Sequence, residues 1–113
     1  MDRKLRKYLS DILSSIMEIE SFMEGRPREY STFCNDVLFR RGVERNMEIM
    51  GEAMNQALKI NPNIPITASR KIVDTRNFVI HAYDSLKPDI LWGIAINHMP
   101  LLKKEVEALL NGE

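Results

Sequence analysis

Residues 76 to 83, Arg-Asn-Phe-Val-Ile-His-Ala-Tyr, set an arginine, a histidine and a tyrosine around a short apolar run. The chain has 2 histidines, and His81 stands between Arg76 and Tyr83. A guanidinium is planar, stays charged at any relevant pH and can hold a phosphate through two hydrogen bonds. An imidazole takes up or releases a proton near neutrality. Together they suffice for metal-free cleavage of RNA, in which the substrate's own 2′-hydroxyl attacks the adjacent phosphate. His81 would move the proton, and Arg76 would stabilise charge growing on the phosphoryl oxygens. A plainer reading has His81 capping carbonyls at a helix C-terminus and Arg76 pairing with a carboxylate. Spacing alone leaves both open. On an ideal helix, residues seven apart differ by about 20° and residues five apart by about 140°. Arg76 and Tyr83 then share a face while His81 points elsewhere. Arginine and histidine reach one substrate only if the helix loosens near Ile80 or two copies of the motif meet across an interface.

Four long helices are expected to position these residues. In the first, Leu5, Tyr8, Leu9, Ile12, Leu13, Ile16, Ile19, Phe22 and Met23 recur at three-and-four spacing, which marks one buried stripe. Gly25 and Pro27 stop it. The second is expected to begin near Ser31 or Thr32, either able to cap it, with Phe33, Val37, Met47, Met50, Met54 and Leu58 on its apolar face. Gly42 and Gly51 interrupt that pattern, through either close helix packing or a bend near Gly42. Asn61-Pro62-Asn63-Ile64-Pro65 is a turn, because proline removes donors and drives its predecessor out of the helical region. Thr67 is expected to cap the third helix, which carries Ile72, Val73, Arg76 and Phe78 to Ile80 towards Tyr83. Pro88 opens the fourth, with Ile90, Leu91, Ile94 and Ile96 as core. The fold class is therefore all-α, an up-and-down four-helix bundle with its last helix kinked or split near Pro100.

Composition narrows the function classes. At 113 residues with 44% hydrophobic and 28% charged residues, the chain reads as one globular domain spanning 1–113. The 16 basic and 16 acidic side chains cancel, so any nucleic-acid contact needs a local patch. Arg40, Arg41 and Arg45 are the candidates for RNA contact, against the usual meaning of such a run as a solvated helix face. No HExxH, paired cysteines or Asp-rich calcium loop occurs, so no metal ligands are assigned and no cofactor is called for. His98, beside Met99 and Pro100, reads as a dipole partner or a surface residue. The single Cys34 reads as a small buried hydrophobe and fits a reducing cytosol. Charges interrupt the apolar residues of the first helix, unlike a signal peptide, and no apolar run is long enough to span a bilayer. The expected location is the cytoplasm, with no membrane contact.

The motif R-x4-H-x-Y, with Asn77 beside its arginine, resembles the signature of the HepT-type toxins in the HEPN superfamily. Three further stretches resemble family segments in the same order: Val43 to Ala53 its second helix, Pro62-Asn63-Ile64-Pro65 its turn before the motif helix, and Ile90-Leu91-Trp92 its fourth helix. The resemblance implies a HEPN-like helical homodimer in which two motifs form a composite cleft. It implies a metal-independent endoribonuclease, the toxin of a type VII toxin–antitoxin pair, whose antitoxin is a minimal nucleotidyltransferase. By position, Arg76 and His81 would be catalytic, Asn77 an orienting polar residue, and Tyr83 the tyrosine that receives AMP. Lys87-Pro88 departs from the family, which often has aspartate before the fourth helix; the departure bears on loop geometry and antitoxin contact. A second class also fits the residues: a non-catalytic helical adaptor that binds a nucleotidyltransferase or a nucleotide. Only the enzyme requires His81 as an acid–base group.

Overall fold

The computed structural model describes residues 1–80 and 88–112, with the backbone alone for residues 77–80. Every regular element among them is helical: α1 (Arg3–Met23), α2 (Tyr30–Asn35), α3 (Val37–Ile60), α4 (Ser69–Ile80), α5 (Pro88–Asn97) and α6 (Met99–Leu110). The Asp2 carboxylate starts α1 by accepting the Leu5 N–H at 2.9 Å. Beyond its C-terminus Gly25 adopts φ +75°, a conformation glycine takes without steric cost, and the chain turns away. The Asn61 side chain accepts the Asn63 N–H at 3.1 Å and fixes the turn between α3 and α4.

α3 is the centre of the bundle, packed along α1 on one side and α4 on the other, while α6 lies against α1. Gly42 meets Phe22 and Asn46 donates to Glu18, so α1 and α3 run antiparallel. Arg6 reaches the Leu110 carbonyl and Lys103 pairs with Glu20, which sets α6 antiparallel to α1. The first-helix stripe is buried as its spacing predicts: Leu9, Ile12, Ile16 and Ile19 are closed off, and Tyr8, Leu13 and Phe22 pack at its margin. Met47, Met50 and Met54 answer it from α3, Ile72 from α4, Leu91 from α5, and Leu102 and Val106 from α6. Phe33, Phe39 and Trp92 join α2, α3 and α5, with Phe33–Phe39 centroids 5.8 Å apart edge-to-face and Phe33–Trp92 centroids 5.2 Å apart.

Several details differ from the sequence expectations. The second helix is divided at Asp36, whose extended backbone ends α2 and whose carboxylate caps α3 by accepting the Phe39 N–H at 3.0 Å. Asp36 also receives the Arg26 guanidinium at 3.1 Å, so neither Ser31 nor Thr32 is the cap of the long helix. The restart moves the apolar register: Phe39 enters the core, while Val37 is 50% exposed and the adjacent Leu38 80% exposed. Thr67 does not cap α4. Its N–H and hydroxyl both bond the Glu105 carboxylate of α6, and the Ala68 carbonyl accepts the Ile72 N–H instead. The last helix is split near Pro100 as expected; the break falls at His98, and Pro100 lies in the first turn of α6, where its missing donor is harmless. Cys34 is half-buried, with its carbonyl accepting the Arg40 guanidinium.

Both α3 glycines mark close packing. A β-carbon at Gly42 would come within 2.7 Å of the Phe22 ring, and one at Gly51 within 2.9 Å of the Arg76 β-carbon and 3.0 Å of the Ile72 carbonyl. A ring at the margin can swing aside; the backbone of α4 cannot. Gly51→Ala is therefore expected to destabilise the fold by about 1–3 kcal/mol through overpacking, outweighing the ~1 kcal/mol that alanine gains in helix propensity. Gly42→Ala should cost less. Urea unfolding of the two variants checks the order, and a Gly51→Ala protein as stable as the parent would disprove the tight α3–α4 contact.

Candidate functional site

Arg76 is placed by the α3–α4 contact. Thr75, fully buried, turns its hydroxyl to the Ile72 carbonyl at 2.6 Å and to the Met47 carbonyl of α3 at 3.3 Å, which locks the rotation of α4. The next residue then emerges beside Gly51, where the missing side chain lets its β-carbon lie against the α3 backbone. The guanidinium runs along α3 to Glu52, with Nη1 2.6 Å from Oε2, a charge-assisted bond between two helices. The other Glu52 oxygen accepts the Gln56 amide at 3.1 Å. The plainer sequence reading of Arg76, a pairing with a carboxylate, is thus realised and its partner identified.

The ion pair forms one wall of a groove of about 310 Å³ between α1, α3 and α4. Tyr8 and Asp11 line it from α1, Arg45, Glu48, Ile49, Glu52 and Ala53 from α3, and Arg76 from α4. Glu48 and Glu52 are one helical turn apart and face the same way. Each acid here has a cation: Asp11 with Lys7 at 2.9 Å, Glu48 with Arg45 at 3.4 Å, and Glu52 with Arg76. The Arg76 side chain is 27% exposed and that of Arg45 67%, so one is held in a recess and the other stands at the rim. A larger recess of about 580 Å³, lined by Lys71, Asp74, Asp89 and His98, does not include Arg76.

The three α3 arginines have different neighbours. Arg40 is tied to the Cys34 carbonyl and lies 3.6 Å from Glu44, and Arg41 borders an apolar hollow with Phe22 and Leu38. Of the three, Arg45 lines the Arg76 groove. His81 and Tyr83 lie outside the described residues, as does Lys87, and Asn77 is described only as a backbone position within α4. His98 sits half-buried at the break between α5 and α6, its N–H bonded to the Ile94 carbonyl. No group of three His, Cys, Asp or Glu side chains among the described residues is arranged to hold a metal, and no described helix is long and apolar enough to cross a membrane. The sequence reading missed Glu52 as the partner of Arg76 and Tyr8 as a groove residue. Helical spacing relates residues within one helix and carries no signal for a partner across two.

A family model described as "Ribonuclease HepT-like" matches residues 12–109. A Methanocaldococcus jannaschii protein named a candidate RNase is 34% identical over 109 residues, covering 93% of this chain and 95% of its own. A Thermococcus cleftensis protein named a candidate ribonuclease HepT is 33% identical over 113 residues, covering 96% of this chain and 98% of its own. A candidate RNase of Caldanaerobacter subterraneus is 27% identical over 109 residues, with 96% of each chain covered. No solved structure matches the chain.

The Gln56 amide, and after it the Arg76 guanidinium, hold the Glu52 carboxyl below its ordinary value against an opposing push from burial. A carboxyl depressed in the folded state contributes stability above its unfolded pKa, and the contribution is lost as pH falls through the folded value. Arg76→Ala should move the Glu52 titration partway back up, because the Gln56 bond remains. Carboxyl-carbon NMR across the acid range reads this directly. An unmoved Glu52 titration would mean that the pair is not formed in solution.

Proposed function

This chain belongs to the HepT-like ribonuclease family, and from that premise we propose that it is a metal-independent endoribonuclease, the toxin of a type VII toxin–antitoxin pair. The observation that carries the reading is Arg76. Within the R-x4-H-x-Y motif it stands at a groove, and Glu52 engages an N–H at one edge of its guanidinium. A fork with five donors keeps others for a phosphate. In the proposed reaction the substrate 2′-oxygen bonds to phosphorus as the bond from phosphorus to the 5′-oxygen breaks. The products are a 2′,3′-cyclic phosphate and a 5′-hydroxyl. His81 removes the 2′-proton or supplies one to the leaving oxygen, Arg76 stabilises the phosphoryl charge, and Asn77 orients the group beside it.

The chain acts as a homodimer in this reading. Arg76 is committed to the α3 side of α4, and residues five apart on an ideal helix differ by about 140°. Two motifs facing each other across a symmetric interface let the arginine of one copy work with the histidine of the other. A minimal nucleotidyltransferase serves as antitoxin by transferring AMP from ATP to the Tyr83 hydroxyl, the oxygen bonding to the α-phosphorus as pyrophosphate leaves. The added phosphodiester brings negative charge and bulk to the motif, repelling the RNA backbone and competing for Arg76.

Purified protein in chelator should cleave RNA and leave cyclic phosphate ends. His81→Ala should lose on the order of 10²–10⁴ in rate, and Arg76→Lys should be poor because a point charge cannot reproduce a two-bond phosphate contact, both with unchanged circular dichroism. Mixed dimers of Arg76→Ala and His81→Ala chains should regain part of the activity, since one of their two composite sites is intact. Full activity in His81→Ala rules the mechanism out. A folded protein that binds a nucleotidyltransferase but never cuts RNA would favour the adaptor reading.

Co-expression with a cognate nucleotidyltransferase should give an inactive protein heavier by one or more AMP units on Tyr83, and Tyr83→Phe should escape the modification. Peptide mass spectrometry showing unmodified Tyr83 beside full neutralisation would mean that the antitoxin works by binding alone.

A further inference from the structure

The groove beside Arg76 has features that phosphate chemistry alone does not use. Its lining combines Tyr8, Ile49 and Ala53 with five charged side chains, whose stems add to the apolar surface. Tyr8 is half-buried at the edge of the core rather than within it, and the Lys7 ammonium lies 6.0 Å from its ring centroid. An aromatic ring left at the wall of a groove, next to cations, is the arrangement on which nucleobases stack without regard to sequence. The volume of about 310 Å³ is at the small end of ligand pockets, the scale of one nucleotide rather than a duplex.

The carboxylates of the groove would repel a nucleic acid if they stood alone. They do not: Asp11, Glu48 and Glu52 are each paired with Lys7, Arg45 and Arg76. An entering phosphate meets cations that can change or share partners. Arg45 is the more accessible, a 67% exposed side chain at 3.4 Å from Glu48, whereas Arg76 is held at 2.6 Å in a recess.

We infer that this groove is a subsite for one nucleotide of single-stranded RNA next to the phosphate held by Arg76, with the base stacked on Tyr8 and the neighbouring phosphate taken by Arg45. The inference rests on the ribonuclease reading for the role of Arg76, but its test does not require cleavage. Tyr8 and Arg45 are binding residues here, with no part in proton transfer.

The probe is a 2′-O-methyl oligoribonucleotide, which lacks the attacking hydroxyl and therefore binds without being cut. Tyr8→Leu keeps the apolar packing and removes the flat ring. It should weaken binding about ten-fold or more, while Tyr8→Phe, which keeps the ring, should bind as the parent does. Arg45→Gln should weaken binding and reduce the slope of log affinity against log salt by about one. In cleavage of ordinary RNA, Tyr8→Leu should raise KM by a similar factor and leave kcat nearly unchanged. Melting curves confirm that the variants are folded. If the parent binds the probe with these variant effects but cuts no RNA, the subsite stands and the ribonuclease reading falls. If the parent cuts RNA and Tyr8→Leu binds the probe as well as the parent, the subsite falls alone. Failure of the parent to bind the probe, or an equal loss in Tyr8→Phe and Tyr8→Leu, also overturns the subsite.

Discussion

The approach of α4 to α3 at Gly51 is the constraint on which the site depends. With no side chain there, the Arg76 β-carbon and the Ile72 carbonyl lie against the α3 backbone, 2.9 and 3.0 Å from where a β-carbon would stand. Thr75 turns the same proximity into a fixed rotation through the Met47 carbonyl. Arg76 and Glu52, on different helices, can then meet at 2.6 Å. Separating the helices by even a fraction of an ångström would lengthen that bond and loosen the wall of the groove. The packed interior makes such a shift costly, since a buried helix face has few empty neighbours to relax into. The Arg76 side chain is therefore positioned by a residue that has none.

Much of the bundle was legible because burial imposes a period. The α1 stripe, the α3 methionines and the stop at Gly25 follow directly from helical spacing and glycine chemistry. Less legible were features decided by competition between partners. Asp36 caps α3 because its carboxylate serves both the Phe39 N–H and Arg26, whereas Ser31 and Thr32 were closer to the expected start. Once the helix restarts there, Val37 must face out although its residue type suggests core. Thr67 has a capping side chain but is taken by Glu105, a residue 38 positions away. The same limit applies to the site. Arg76 could be singled out from its neighbours in sequence, whereas Glu52 could be found only after α3 and α4 were packed together. Tyr8 fits the apolar stripe so well that spacing alone assigns it to the core, although it is only half-buried.

Net neutrality also acquires a local meaning. The 16 basic and 16 acidic side chains cancel over the whole chain, but around the groove they cancel pair by pair. Exposed pairs of this kind contribute little to stability, because water screens them and ordering two long side chains has an entropic cost. In the proposed subsite their effect would be on recognition. A guanidinium already resting on a carboxylate offers a passing polyanion less than a bare one would, so diffuse attraction to any duplex is suppressed.

A groove of paired charges must then obtain its affinity from something other than net attraction. When a phosphate takes the place of a carboxylate at Arg45, one charge-assisted bond replaces another, and the released glutamate returns to water. The gain from the exchange is small. What remains favourable is burial of a flat base against Tyr8 and Ile49, where the Lys7 ammonium 6.0 Å from the ring centroid is the group it would meet. A base locked in a helix stack cannot offer its face in this way, but an unpaired base can. On this argument the proposed preference for single-stranded RNA comes from the charge pairs as much as from the ring: they reduce the part of binding that every nucleic acid shares and leave the part that needs an exposed base.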